Sequence, residues 1–176
     1  MGIPIRHSRP ENVLAVERTF FVTSSTWGKK RLLQSDRCAE LFISVLYEYR
    51  GQDKYRLHEF VVMPDHFHVL ITVGDGVTIE RAVQFIKGGF AFRAGKEFGL
   101  RAPVWQKGFS ESRIRDGRSF AARRNYIRNN PVAAFLARQP EEYCYSSAYS
   151  GFGLDPPPQR LKPHFYTLDG TAEAMP

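Results

Sequence analysis

The chain has 176 residues and 43% hydrophobic content, which suits one domain with a sizeable core. Its 25 Lys and Arg outnumber 18 Asp and Glu, giving +7, a balance that favours a polyanionic partner, most simply nucleic acid. No apolar run approaches the roughly 18 residues of a membrane helix, and the distant pair Cys38 and Cys144 offers no disulfide framework.

That cysteine usage points to a reducing cytoplasm. Arg6, Arg9, Pro10 and Glu11 stand where a signal peptide needs an apolar core. Residues 1–16 carry weak signals and read as an arm or loop. Arg18 to Thr26 is rich in β-formers and reads as a strand, followed by a basic loop from Trp27 to Lys30. Ser35 is placed to cap a helix. Cys38, Leu41, Phe42, Val45, Leu46 and Tyr49 then form a helical stripe, and Gly51 closes it.

Lys54 to Met63 returns as a strand containing His58. Pro64 and Asp65 make the turn into a second apolar strand, His66 to Val73. Thr78 can cap the next helix, whose apolar side is Ile79, Val83, Ile86 and Phe90. The interior pair Gly88-Gly89 predicts loosening or a bend there. Val104 to Gln106 and Phe109 to Arg115 read as a short strand pair turning at Lys107-Gly108. Arg118 to Asn130 reads as a helix ended by Pro131, with a further turn or two over 132–138. Beyond Pro140 no period is visible, so the domain is expected to span 1–150. Residues 151–176 are expected to be an irregular Pro-rich tail, dispensable for folding.

The order β-α-β-β-α-β-α predicts an α+β fold: a ferredoxin-like antiparallel sheet with packed helices, plus an extra C-terminal helix. A site on the sheet must then lie on the face not covered by the two packing helices, or else be covered by the third.

Two patterns carry chemistry. Strand side chains alternate, so His66 and His68 share one face, roughly 7 Å apart at their roots, with Phe67 and Val69 on the other. That is half of a metal site. On the last helix Tyr126 and Asn130 are four apart and share a face, with Arg123 on the same side. Lys29, Lys30, Lys87, Arg93, Arg115, Arg123 and Arg124 are available to neutralise phosphates.

Pro64-Asp65-His66-Phe67-His68-Val69 resembles the His-hydrophobic-His motif of HUH nucleases. Tyr126-Ile127-Arg128-Asn129-Asn130-Pro131-Val132 resembles the nucleophile helix of single-tyrosine HUH transposases. Trp105-Gln106-x-x-Phe109 and Tyr145-Ser146-Ser147 resemble the REP-associated tyrosine transposases, and the likeness runs from about Arg18 to Ser147. The resemblance implies metal-dependent nicking and strand transfer on single-stranded or hairpin DNA. Tyr126 would be the catalytic nucleophile, and His66, His68 and Asn130 the metal ligands. It implies Mg²⁺ or Mn²⁺, while two imidazoles and an amide oxygen also suit Zn²⁺. It leaves monomer and homodimer both open. A phenol is a weak nucleophile at neutral pH, so a metal on the scissile phosphate would be needed. No Walker-type glycine loop is present, in keeping with chemistry that stores bond energy in a covalent intermediate.

Two other classes compete. A non-catalytic ferredoxin-like nucleic-acid-binding module fits the charge and aromatics but gives the histidine and tyrosine pairs no task. A zinc hydrolase on the His-x-His strand would need His58 or Asp65 as a further ligand.

Overall fold

Four segments rich in β-branched and aromatic residues form the sheet of the computed structural model, which describes residues 17–74, 76–159 and 161. They are β1 (Arg18–Ser25), β2 (Arg56–Met63), β3 (His66–Val73) and β4 (Ser110–Ile114). The helices are α1 (Asp36–Gly51), α2 (Ile79–Phe98) and α3 (Gly117–Ala133). Strand order is β2-β3-β1-β4, antiparallel throughout. This is the α+β architecture expected.

Alternation along β3 divides the core. Phe67, Val69, Ile71 and Val73 face α1 and α2, where Phe42, Val45, Val83, Ile86 and Phe90 meet them. Each such side chain, fully buried, contributes about 1.5–3 kcal/mol of hydrophobic stabilisation. On the other face Phe21, Val61, Met63, Leu70 and Ile114 pack under Phe120 and Ile127 of α3. The third helix therefore covers the face that carries both histidines. Asp116 starts α3 by accepting from the Ser119 N–H at 2.7 Å.

Several local expectations are corrected. α2 runs unbroken through Gly88-Gly89. Gly89 is there for close approach: a Cβ on it would sit 2.6 Å from the Tyr49 ring. Thr78 caps α2 through the Arg81 N–H, but Ser35 makes no side-chain cap bond. Residues 104–106 do not pair with β4. Both segments lie along the same edge of β1, with Thr26 bridging Trp105 and Thr23 opposite Ser110. β1 is long enough to serve both, and Gly108, at φ 72°, turns the chain between them. Pro131 lies inside the last turn of α3 rather than ending it. The chain reverses only at Phe135, whose N–H reaches the Val132 carbonyl.

Chain just past the expected boundary at 150 still packs on the sheet. Residues 145–155 follow the outer edge of β2. Val62 N–H donates to the Tyr145 carbonyl, Ser147 N–H to Phe60 and Asp155 N–H to Leu57. Irregular backbone thus satisfies an edge strand that would otherwise present unpaired groups. Phe152 packs on Phe60, ring centroids 5.0 Å apart. The rest of the expected tail, residue 160 and residues 162–176, lies outside the described residues.

Candidate active site

The site begins at the Pro64-Asp65 turn. Its carbonyls accept the N–H groups of Leu33 and Thr26, each at 2.9 Å, so the turn is fixed by the loop after β1. Asp65 Oδ1 lies 2.6 Å from His66 Nδ1. Two residues on, His68 Nδ1 lies 2.7 Å from the Thr23 hydroxyl of β1, its partner across the ladder. The imidazole centroids are 4.9 Å apart. With both Nδ1 atoms engaged by neighbouring oxygens, Nε2 is the nitrogen of each ring that could ligate a metal.

α3 brings the second pair. The Asn130 carboxamide nitrogen is 3.4 Å from His68 Nε2. The Tyr126 ring stands edge-on to His68 with centroids 5.2 Å apart, and the residue stays 48% exposed. Phe21 stacks on His68 at 5.3 Å and touches Tyr126 edge-on at 5.7 Å, so the three rings form one cluster. The Arg123 guanidinium lies 4.8 Å above the Phe21 ring. Burial, with smaller contributions from His66 and Arg123, pushes His68 down to about 3. Its ring is therefore a neutral imidazole at physiological pH, the form that ligates metal.

Two imidazoles and a carboxamide converge here, and with the amide turned to bring its oxygen toward Nε2 they make an N,N,O donor set that would fit a divalent cation with open positions for phosphate oxygen and water. The zinc-hydrolase alternative loses its further ligand. His58 hydrogen-bonds Thr72 at 2.7 Å, four residues along β3 from His68, about 13 Å away. Among the described residues no three or more His, Cys, Asp or Glu side chains could hold a metal together.

The profile of the IS200-like transposase family matches residues 21–130, which takes in His66, His68, Tyr126 and Asn130. The chain belongs to this family. An uncharacterised protein of Haemophilus influenzae is 30% identical over 99 residues, a match covering 44% of this chain and 54% of that protein. The chain thus matches about half the length of that curated relative. Among solved structures, a REP-associated tyrosine transposase bound to a REP hairpin shares the fold at TM-score 0.62 and 23% identity, covering 81% of this chain and 82% of that one. A Deinococcus radiodurans R1 protein described as a transposase matches at TM-score 0.51 and 21% identity, covering 71% of this chain and 97% of that one. No described helix is long and apolar enough to cross a membrane.

Within this IS200-like frame the basic residues part company. Arg123 is in the site, and Lys29 and Lys30 are exposed on the loop beside the Pro64-Asp65 turn. The others are not brought to the histidines. Lys87 donates to the Gln106 and Gly108 carbonyls at 2.9 and 2.6 Å, and burial pushes it down to about 8. Arg93 pairs with Glu97 and Glu48 in the layer of α1 and α2, across the sheet from the histidines. Arg115 follows Ile114, which is opposite Thr19, at the far end of β1 from Ser25 and His66. Arg124 donates to Glu59.

Sequence reasoning missed Thr23, Phe21, Glu59 and Arg128. Glu59 had a signal: a lone carboxylate inside the apolar run Leu57–Met63 needs a partner if that strand is buried.

Proposed function

We propose that this IS200-like chain nicks and rejoins single-stranded DNA through a covalent bond to Tyr126. The observation that carries the reading is the exposed Tyr126 phenol standing against His68, with Asn130 on the same helix face reaching the same imidazole. A phenol, two imidazoles and a carboxamide come together here, the Tyr126 side exposed to solvent.

His66, His68 and Asn130 would hold Mg²⁺ or Mn²⁺, which when bound polarises the scissile phosphate and offsets charge in the transition state. The residues do the rest. Asp65 and Thr23 hold the two imidazoles in one tautomer and orientation. α3 presents the Tyr126 oxygen for in-line attack on phosphorus. The P–O bond to the 3′-oxygen breaks as the bond to tyrosine forms, leaving a 5′-phosphotyrosine and a free 3′-hydroxyl. The Arg123 guanidinium, held over Phe21, adds positive charge beside the phosphate. Attack of a 3′-hydroxyl on the phosphotyrosine reverses the step, so strands are exchanged without ATP. The likeness to a protein solved with a REP hairpin supports a strand that carries a hairpin as substrate.

The test is to incubate wild type and Tyr126→Phe with an end-labelled stem-loop oligonucleotide and Mn²⁺, then denature. The wild type is expected to carry a protein–DNA adduct and the Phe variant none. An adduct that persists in the variant, or maps to another tyrosine, overturns the assignment. Tight binding with no adduct from either protein would favour the non-catalytic module.

A further inference from the structure

The loop Trp27-Gly28-Lys29-Lys30 is built for something other than holding the fold. It leaves β1 beside Ser25, the residue paired with His66. Thr23 and Ser25 lie on the histidine face, and the extended backbone of Thr26 carries that alternation on to Trp27. Trp27 is 39% exposed, whereas the other tryptophan, Trp105, packs among Phe42, Phe67 and Phe90. Gly28 and Lys29 both take left-handed backbone, at φ 61° and 51°. For Lys29 that is an unfavourable conformation, which the surroundings impose.

What imposes it is the backbone beneath. Thr26 N–H donates to the Asp65 carbonyl at 2.9 Å and the Thr26 hydroxyl lies 2.6 Å from the Lys30 carbonyl. Trp27 N–H donates to Val104 at 2.9 Å. The main chain is thus locked onto the turn that precedes His66. The Lys29 and Lys30 ammonium groups make no hydrogen bond or ion pair among the described residues, and both residues are exposed. A loop pinned by its backbone therefore presents an exposed indole and two uncommitted ammonium groups next to the turn that precedes His66.

We propose that Trp27, Lys29 and Lys30 form a platform for unpaired DNA next to the scissile phosphate. One base stacks on the Trp27 indole, and the two lysines meet the phosphates on either side of it. The occupant follows from the chemistry: an exposed aromatic face flanked by cations suits single-stranded nucleic acid, because every base has a π-face and every linkage a negative charge. The platform rests on the proposed reading that a strand reaches Tyr126, and it adds where that strand lies.

The experiment uses the full chain carrying Tyr126→Phe, so that binding is read without covalent capture. Tryptophan emission is followed while a stem-loop with an unpaired flank, or the same stem with blunt ends, is added at several salt concentrations. The flanked oligonucleotide is expected to quench Trp27, and the blunt one to leave it unchanged. Trp27→Ala should bind the flanked strand about 5- to 150-fold more weakly, the range for losing one base stack. Trp27→Phe should keep most of the affinity. Lys29→Ala/Lys30→Ala should lower the slope of log affinity against log salt by about 1.4, two single-strand phosphates. Unchanged affinity in Trp27→Ala, or equal quenching by the blunt stem, overturns the platform. A protein with Tyr126 intact that forms no adduct, while Trp27 responds as described, sinks the nicking chemistry and supports the platform.

Discussion

Arg124 Nε lies 2.7 Å from Glu59 Oε1, and this contact ties the helix carrying Tyr126 to strand β2. Arg128 reaches the same oxygen at 3.1 Å, and the Ser147 hydroxyl donates to the other. The Glu59 side chain is 2% exposed, and both its oxygens are bonded by partners from other elements. The arginines are more accessible and can return to water. Arg124→Ala/Arg128→Ala, which strands the carboxylate, should therefore cost about 3–5 kcal/mol. Glu59→Gln keeps an acceptor and a contact for Ser147 and should cost about 1–2 kcal/mol. Urea midpoints of the two proteins check the order, and the reverse order would contradict the clamp.

Thr23 is placed to fix His68. The hydroxyl is 2.7 Å from Nδ1, so Nε2 is aimed toward Asn130. Thr23→Val keeps the β-branched shape and removes the oxygen. Divalent cation affinity, titrated with Mn²⁺ by calorimetry, should fall about 10- to 100-fold, as for other partners of ligating histidines. Thr23→Ser should recover most of it. Wild-type affinity in the Val variant would show that the hydroxyl does not orient the ring.

Both halves of this site were legible in the sequence, each for a local reason. A period of two puts His66 with His68, and a period of 3.6 puts Tyr126 with Asn130. Nothing local joins the halves, because the register of α3 on the sheet is set by Phe120, Ile127 and Glu59. Thr23 was hidden for the same reason: alternation gives its face but not its partner across the ladder. Charge counting could not separate Lys30 from Lys87, since only packing shows that Lys87 is spent on two carbonyls. Residues 145–155 had no period to read because irregular chain can complete a sheet edge one bond at a time.

That edge gives a test of the boundary expected at 150. Asp155 accepts the Leu57 N–H at 2.7 Å and both Arg50 donors, at 2.8 and 2.9 Å. The Arg50 guanidinium holds its carboxyl below the ordinary carboxylate range. A chain ending at Ser150 loses these bonds and the Phe152 contacts with Tyr47 and Phe60. It should lose about 3 kcal/mol or more. A chain ending at Leu161 keeps them all and should melt well above the one ending at Ser150. Equal melting of the two truncations, followed by circular dichroism, would support the boundary at 150.

The last prediction concerns acid. His58 is buried, with Nε2 2.7 Å from the Thr72 hydroxyl and Nδ1 3.1 Å from the Asp155 carbonyl. Burial lowers its pKa, only partly offset by the Asp155 carbonyl and carboxylate. The unfolded chain, with an ordinary histidine near pH 6.5, thus binds a proton before the folded chain does. The stability His58 contributes is complete above about pH 6.5 and is lost as pH falls toward the folded value. His68, pushed down to about 3, acts in the same sense. Asp155 also has a lowered pKa, but its window lies below about pH 4. Between about pH 6.5 and 5 the histidines therefore dominate the slope. His58→Gln keeps a polar group against Thr72 and removes one titration. Its unfolding free energy, from urea titrations across that window, should fall with acid less steeply than wild type, by up to about 1.4 kcal/mol per pH unit. Parallel curves for the two proteins would mean that His58 takes up its proton without unfolding.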